Sequence, residues 1–137
     1  MMKQIDIFKK ISQLFSFKVI SDEDNNSYVI FSNSSLQHVN KVKDRTQFEA
    51  IENHIHLIEK VRKYDYQSCI ECGTLLGFAL LNSLQAAYPF RHFIVYVAIR
   101  INDSMIIRFH QKWPNEEPYY DPIQFSTDKE TVLKFEK

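Results

Sequence analysis

The stretch Arg91–Trp113, RHFIVYVAIRINDSMIIRFHQKW, decides the fold. Its first half, Phe93 to Ile99, is an almost unbroken apolar and aromatic run, the composition of an interior strand covered on both sides. Its second half alternates. Met105, Ile107 and Phe109 fall on one side, Arg108, His110 and Lys112 on the other, with Ile106 as the exception. Asn102-Asp103 between the halves is turn chemistry. Residues 91–100 and 104–113 therefore read as an antiparallel hairpin. Met105, Ile107 and Phe109 are expected to face the core. The row Arg108, His110, Lys112 is expected on an exposed sheet face, either simply solvated or able to dock an acidic partner or a phosphate backbone.

Working toward the N-terminus, Ser68-Cys-Ile-Glu71 has the capping-box pattern, and apolar residues continue to Ala87, where Pro89 stops the helix. That helix is apolar around most of its circumference and is expected to be the central buried element. Thr46-Gln-Phe-Glu49 is a second capping-box pattern. Phe48, Ile51, Ile55, Ile58 and Val61 then recur at helical spacing, predicting one helix that ends near Tyr64. Residues 33–44 lack a clean period and read as a loop, with a short strand open around Leu36 to Val42. FKVIS and SYVIFS flank the polar run DEDNN and read as a hairpin. Ile5, Phe8, Ile11, Leu14 and Phe15 make residues 3–15 an amphipathic helix. At the other end, TVLKFEK reads as a last strand. Helices and strands cluster instead of alternating strictly. The expected class is α+β: a mainly antiparallel sheet with the N-terminal helix and two central helices packed on it, in one domain spanning 1–137.

The chain has 137 residues, 14% of them aromatic, enough to build a core without disulfides or a structural metal. It has only 2 Gly, Gly73 and Gly77, too few for a phosphate-cradling loop or a dinucleotide fingerprint. Lys and Arg total 17 against 17 Asp and Glu, so the basic excess of a typical nucleic-acid binder is missing. No apolar run reaches the roughly 20 residues of a membrane span, and the N-terminus lacks signal-peptide character. With two cysteines, a soluble, cytoplasmic protein is expected, with no cofactor, no metal, no membrane and no direct nucleic-acid partner.

Four groups merit chemical scrutiny. Cys69-x-x-Cys72 sits near a helix start, where a thiolate would be favoured for disulfide exchange. The plainer reading is two small hydrophobes in a packed helix. His54-x-His56 would share a metal on a strand but not on the expected helix. His92 and His110 lie at similar depth in the hairpin and would form an acid–base pair if they faced each other, the alternative being a small nucleic-acid-processing enzyme. Finally, Trp113-Pro-Asn-Glu-Glu-Pro-Tyr-Tyr-Asp-Pro combines rigid prolines, interface-prone rings and carboxylates with no local cation. Trp113, Tyr119 and Tyr120 are the candidate anchors, and Glu116, Glu117 and Asp121 the candidate charge partners. The competing reading folds the tyrosine rings onto the core.

The segment IIRFHQKWPNEEPYYD in a small, neutral, glycine-poor α+β chain resembles segments of the small cytoplasmic immunity proteins of bacterial contact-dependent inhibition and polymorphic-toxin systems. The resemblance implies a non-enzymatic protein that binds a cognate toxin domain, often a nuclease, and blocks its active site or substrate cleft. An acidic patch would then mimic phosphate before a basic cleft.

Overall fold

The computed structural model describes residues 2–36, 44–120, 127 and 129–137. His38, Asp121 and most of the open strand at Leu36 to Val42 lie outside them. The order is α1 (Met2–Gln13), β1 (Phe17–Ser21), β2 (Ser27–Phe31), α2 (Arg45–Glu52), β3 (His54–Ile58), a 3-10 turn at Lys63–Asp65, α3 (Tyr66–Ala87), β4 (Phe93–Arg100), β5 (Met105–Gln111) and β6 (Glu130–Glu136). Four strands form one antiparallel sheet in the order β3-β5-β4-β6, and β1-β2 form a separate hairpin. The α+β class, the N-terminal helix, both hairpins and the last strand agree with the sequence reading.

β4 is the interior strand its composition demands. β5 and β6 flank it, and Phe93 to Val97 are all buried. One face carries Phe93, Val95, Val97 and Ile99 with Met105, Ile107 and Phe109 of β5, all within the main core beneath α3. The other carries Ile94 and Tyr96, which pack with Val132, Tyr119 and Tyr120.

The continuous helix expected from Thr46 to Tyr64 does not form. α2 ends at Glu52, and the chain passes through Asn53 (φ −99, ψ 56) directly into β3. The physical reason is the open edge of β5. His54-Ile-His-Leu-Ile also fits a period of two, and pairing it with β5 at His54↔Arg108 and Ile55↔Ile107 satisfies a backbone ladder that a longer helix would leave unpaired. The capping-box expectations fail with it. Asp44 caps α2 by accepting from Gln47 N at 2.7 Å, while Thr46 and Glu49 are used elsewhere. α3 starts at Tyr66, ahead of Ser68 and Glu71.

α3 lies on the sheet along one face only, which corrects the expectation of an all-round buried helix. Cys69, Gly73, Gly77, Leu80, Leu81 and Leu84 are its buried positions. The glycines set the approach. A Cβ at Gly73 would meet Val97 Cγ1 at 2.9 Å, and one at Gly77 would stand 2.2 Å from the Phe135 ring. Two missing side chains on one helix face thus bring the helix axis down onto β4 and β6. By length and hydropathy alone, Lys63–Ala87 has the makings of a membrane span, yet here its glycine-marked side is taken up by the sheet.

Gly77→Leu is expected to destabilise the protein by at least ~2 kcal/mol, because the inserted atoms collide with a buried ring. Gly73→Ala should destabilise by less, because its methyl would press on Val97 Cγ1 at 2.9 Å and Met105 Cε at 3.2 Å while alanine regains up to ~1 kcal/mol of helix propensity. Urea denaturation of both variants checks the contrast.

Candidate functional site

The segment Gln111–Tyr120 is built onto the body by three knots of polar contacts. The first centres on Glu49 of α2, fully buried between β2 and β5. Its carboxylate accepts from Val29 N at 3.0 Å, Gln111 N at 2.7 Å, Gln111 Nε2 at 2.8 Å and Trp113 Nε1 at 2.7 Å. One turn on, Asn53 Oδ1 accepts from Phe31 N at 3.0 Å. Its Nδ2 donates to Val29 O at 2.9 Å and Phe109 O at 3.4 Å, and its backbone O accepts from Phe109 N at 3.2 Å. These two side chains, at i and i+4 on one line of the chain, occupy the place of a missing strand between β2 and β5. Burial pushes the Glu49 carboxyl up to about 7, against the pull of its Gln111, Val29 and Trp113 donors.

The second knot holds Glu116. Its carboxylate accepts from Arg45 Nε at 2.6 Å, from Thr46 N at 2.8 Å and from Thr46 Oγ1 at 2.8 Å. Arg45 also lies over the Trp113 ring, 4.7 Å from its centroid, and donates to Pro114 O. Glu116 is thus a distant second cap on the N-terminus of α2, beside Asp44. Burial alone would push the carboxyl up, but the Arg45 and Thr46 donors outweigh that and hold it below its ordinary range. The cation missing from the local sequence is Arg45, 71 positions away.

The third knot closes the far end. Tyr119 and Tyr120 pack edge to face at 4.9 Å, and Tyr120 meets Tyr96 at 5.4 Å. The Arg108 guanidinium sits 4.8 Å from the Tyr119 ring and 5.4 Å from the Tyr120 ring, and donates to Ala50 O at 3.1 Å. The row Arg108, His110, Lys112 is therefore not the exposed face that alternation suggested. Arg108 is 8% and His110 1% exposed, and only Lys112 reaches solvent freely.

Of the six candidate contact residues, four are brought into these knots: Trp113, Glu116, Tyr119 and Tyr120. Each keeps part of its surface exposed. Glu117 stands exposed between Glu116 and Pro118, and Asp121 lies outside the described residues. The residues sequence reasoning missed are Arg45, Glu49 and Asn53. A buried-helix glutamate beside the Asn at which the helix stops was the only available signal.

The histidines are arranged differently from the acid–base expectation. Opposite His110 in the register is Ile94, while exposed His92 sits beyond it, level with Lys112. His110 Nδ1 lies 2.7 Å from Gln111 O, so it carries the proton. Nε2 accepts from Tyr119 N at 3.3 Å and is 3.1 Å from Tyr96 Oη. Both nitrogens are engaged in the neutral ring, and burial lowers its basicity. Burial likewise pushes the Tyr96 hydroxyl up to about 12, keeping it a donor to Nε2. His54 and His56 share one side of β3 with ring centroids 5.3 Å apart, since they lie on a strand after all. They border an open groove of about 310 Å³ with Lys10, Glu52 and Glu59. Among the described residues, no group of three His, Cys, Asp or Glu is placed to hold a metal ion. Cys69 is buried and Cys72 exposed. Burial raises the Cys69 thiol, the opposite of what thiol exchange needs.

Comparison with protein-family models, with curated proteins and with solved structures gives no match.

Glu49→Gln turns an acceptor into a donor facing N–H groups, and is expected to cost ~2–3 kcal/mol in chemical denaturation. It should also alter the pH profile. A carboxyl at about 7 when folded, against 4.5 ordinarily, contributes stability that is full below pH 4.5 and lost as pH rises through 7. The wild type minus Glu49→Gln stability difference should therefore shrink over that window. Glu116→Ala, which uncaps α2, is expected to cost ~1–2 kcal/mol, read as a lowered urea midpoint.

Proposed function

We propose that this protein is a non-enzymatic inhibitor that binds a cognate bacterial toxin domain, in the manner of a cytoplasmic immunity protein, and covers its substrate cleft. The observation that supports the reading is the anchoring of the 113–120 segment at both ends, by Glu116 on Arg45 and Thr46 and by Tyr119 and Tyr120 on Arg108, with Glu117 left exposed between them. A loop held this way loses little conformational entropy on docking. Its exposed ring edges supply apolar contact, and Glu117 supplies charge toward a basic cleft. Glu116 is given the role of holding the loop in shape, and Asp121 remains a charge partner by sequence alone. A nuclease toxin is the partner class that best suits an acidic, phosphate-like contact.

The engagement of both His110 nitrogens favours binding over the alternative in which His92 and His110 process nucleic acid. Interferometry against the product of the adjacent upstream gene tests the proposal. Glu117→Lys is expected to slow association ~10-fold or more at low salt and to flatten the salt dependence, leaving thermal stability unchanged. No binding to that product, with no protection of cells expressing it, would sink the proposal.

A further inference from the structure

His54 and His56 lie two apart on β3, so their side chains leave the same side of the strand. The bulge in the β3–β5 pairing comes after His56, so the alternation between the two is intact. Their ring centroids stand 5.3 Å apart and their planes are inclined at 69°. Two imidazoles on one tetrahedral ion need about that separation. With metal–nitrogen bonds of ~2.0–2.1 Å, a nitrogen ~1.1 Å from its ring centre and an angle of ~109°, the centroids fall ~5.2 Å apart. The helix expected from the sequence would have sent the rings to nearly opposite sides. The strand is what brings them together.

We propose that His54 and His56 chelate one divalent transition-metal ion, zinc being the species that two imidazoles at this spacing suit best. Nδ1 of His54 faces Ile51 O, which can only accept, so Nδ1 carries the proton and Nε2 holds the lone pair. Metal-binding imidazoles are oriented in this way, by the other nitrogen donating to a carbonyl. A lone pair able to accept a hydrogen bond is also able to take a metal. His56 supplies a second, independent observation. Its Nδ1 is buried with no hydrogen-bond partner. A buried nitrogen left so is costly, and an ion at that atom removes the cost. The donors are Nε2 of His54 and Nδ1 of His56.

The groove bordered by the pair favours a cation over an anion. Glu52 and Glu59 line it against one ammonium, Lys10, so it is acidic while both imidazoles are neutral. Lys10 is paired with Glu59 at 3.4 Å, and Ser34 Oγ donates to Glu52 Oε2 at 2.7 Å. An inorganic anion would have to approach both carboxylates. Arg108, across from His54 on β5, is engaged by Ala50 O and two tyrosine rings. Among the described residues no third His, Cys, Asp or Glu completes a cluster. The remaining coordination positions are open to water, as in an exchangeable site and unlike a closed structural one. Two protein ligands hold an ion on the order of micromolar strength, far more weakly than the four of a structural zinc.

Isothermal titration with zinc chloride tests the inference, in a Cys72→Ser background that removes the exposed thiol. One ion per chain is expected. His54→Gln and His56→Gln should each weaken binding at least ~10-fold, with circular dichroism reporting that the fold is kept. His92→Gln, which removes an exposed imidazole outside the groove, should leave binding unchanged, and so should Glu117→Lys. Pulsed electron paramagnetic resonance of the copper(II)-loaded protein needs no substitution at the site. It should show two coordinated imidazoles, both retained in His92→Gln, and this spectrum decides the matter if the groove variants unfold. No zinc bound at ~100 µM would overturn the proposal, that concentration lying well above a micromolar dissociation constant. So would zinc binding that persists in a folded double variant, loss of binding in His92→Gln, fewer than two imidazoles in the copper spectrum, or inorganic phosphate bound in place of zinc. Toxin binding is read separately at Glu117, so failure of either reading leaves the other standing.

Discussion

A buried carboxylate and a buried amide, one helical turn apart, hold the two sheets of this protein together. β2 and β5 run close enough to share a core but too far apart to share a ladder. Left alone, Val29, Phe31, Phe109 and Gln111 would keep backbone groups buried without partners, each costing ~1–3 kcal/mol. Glu49 and Asn53 answer these groups from the side. Because both lie at the end of α2, helix, hairpin and sheet become one unit. Moving any of the three breaks bonds to the other two.

The candidate contact segment depends on the same arrangement. Trp113 donates to Glu49, and Arg45, one turn earlier on α2, grips Glu116 and covers the Trp113 ring. A short helix thus presents its buried side to the sheets and its N-terminus to the loop. The far end of the loop is fixed by Arg108 beneath two tyrosine rings. Burying Arg108 is tolerable because the carbonyl of Ala50 and two ring faces surround it. The loop is in effect an outer layer of the sheet face that alternation alone would leave wet.

The opposite face of β4 follows a simpler rule. Gly73 and Gly77 let α3 descend until it touches Val97 and Phe135. The helix is one layer thick, so lowering one side does nothing for the other. On its outer side Leu75 stays 72% exposed, and Phe78, 53% exposed, rests its ring edge-on against Phe135. Two surfaces of different character result: a polar, pre-shaped loop on one side of the sheet and a nearly uncharged helix face on the other.

Local pattern alone determined much of the architecture. The apolar run of β4, the alternation of β5, the polar break between β1 and β2, and Pro89 after α3 each carry a signal within a few residues, and each element formed where that signal lay. The loop's prolines and rings were equally visible. What only the tertiary structure decided were the choices between two locally acceptable states. Ile51, Ile55 and Ile58 fit a helix, and His54 to Ile58 fit a strand, and the unpaired edge of β5 settled the matter. Glu116 looked unpaired because its cation lies 71 residues away, and His110 looked exposed because Tyr96 and Tyr119, 14 residues before it and 9 after it, close over its ring only in the folded chain. Periodicity reports which side of an element is apolar. It cannot report which distant backbone group or charge will arrive to meet the polar side, since that depends on how the elements pack.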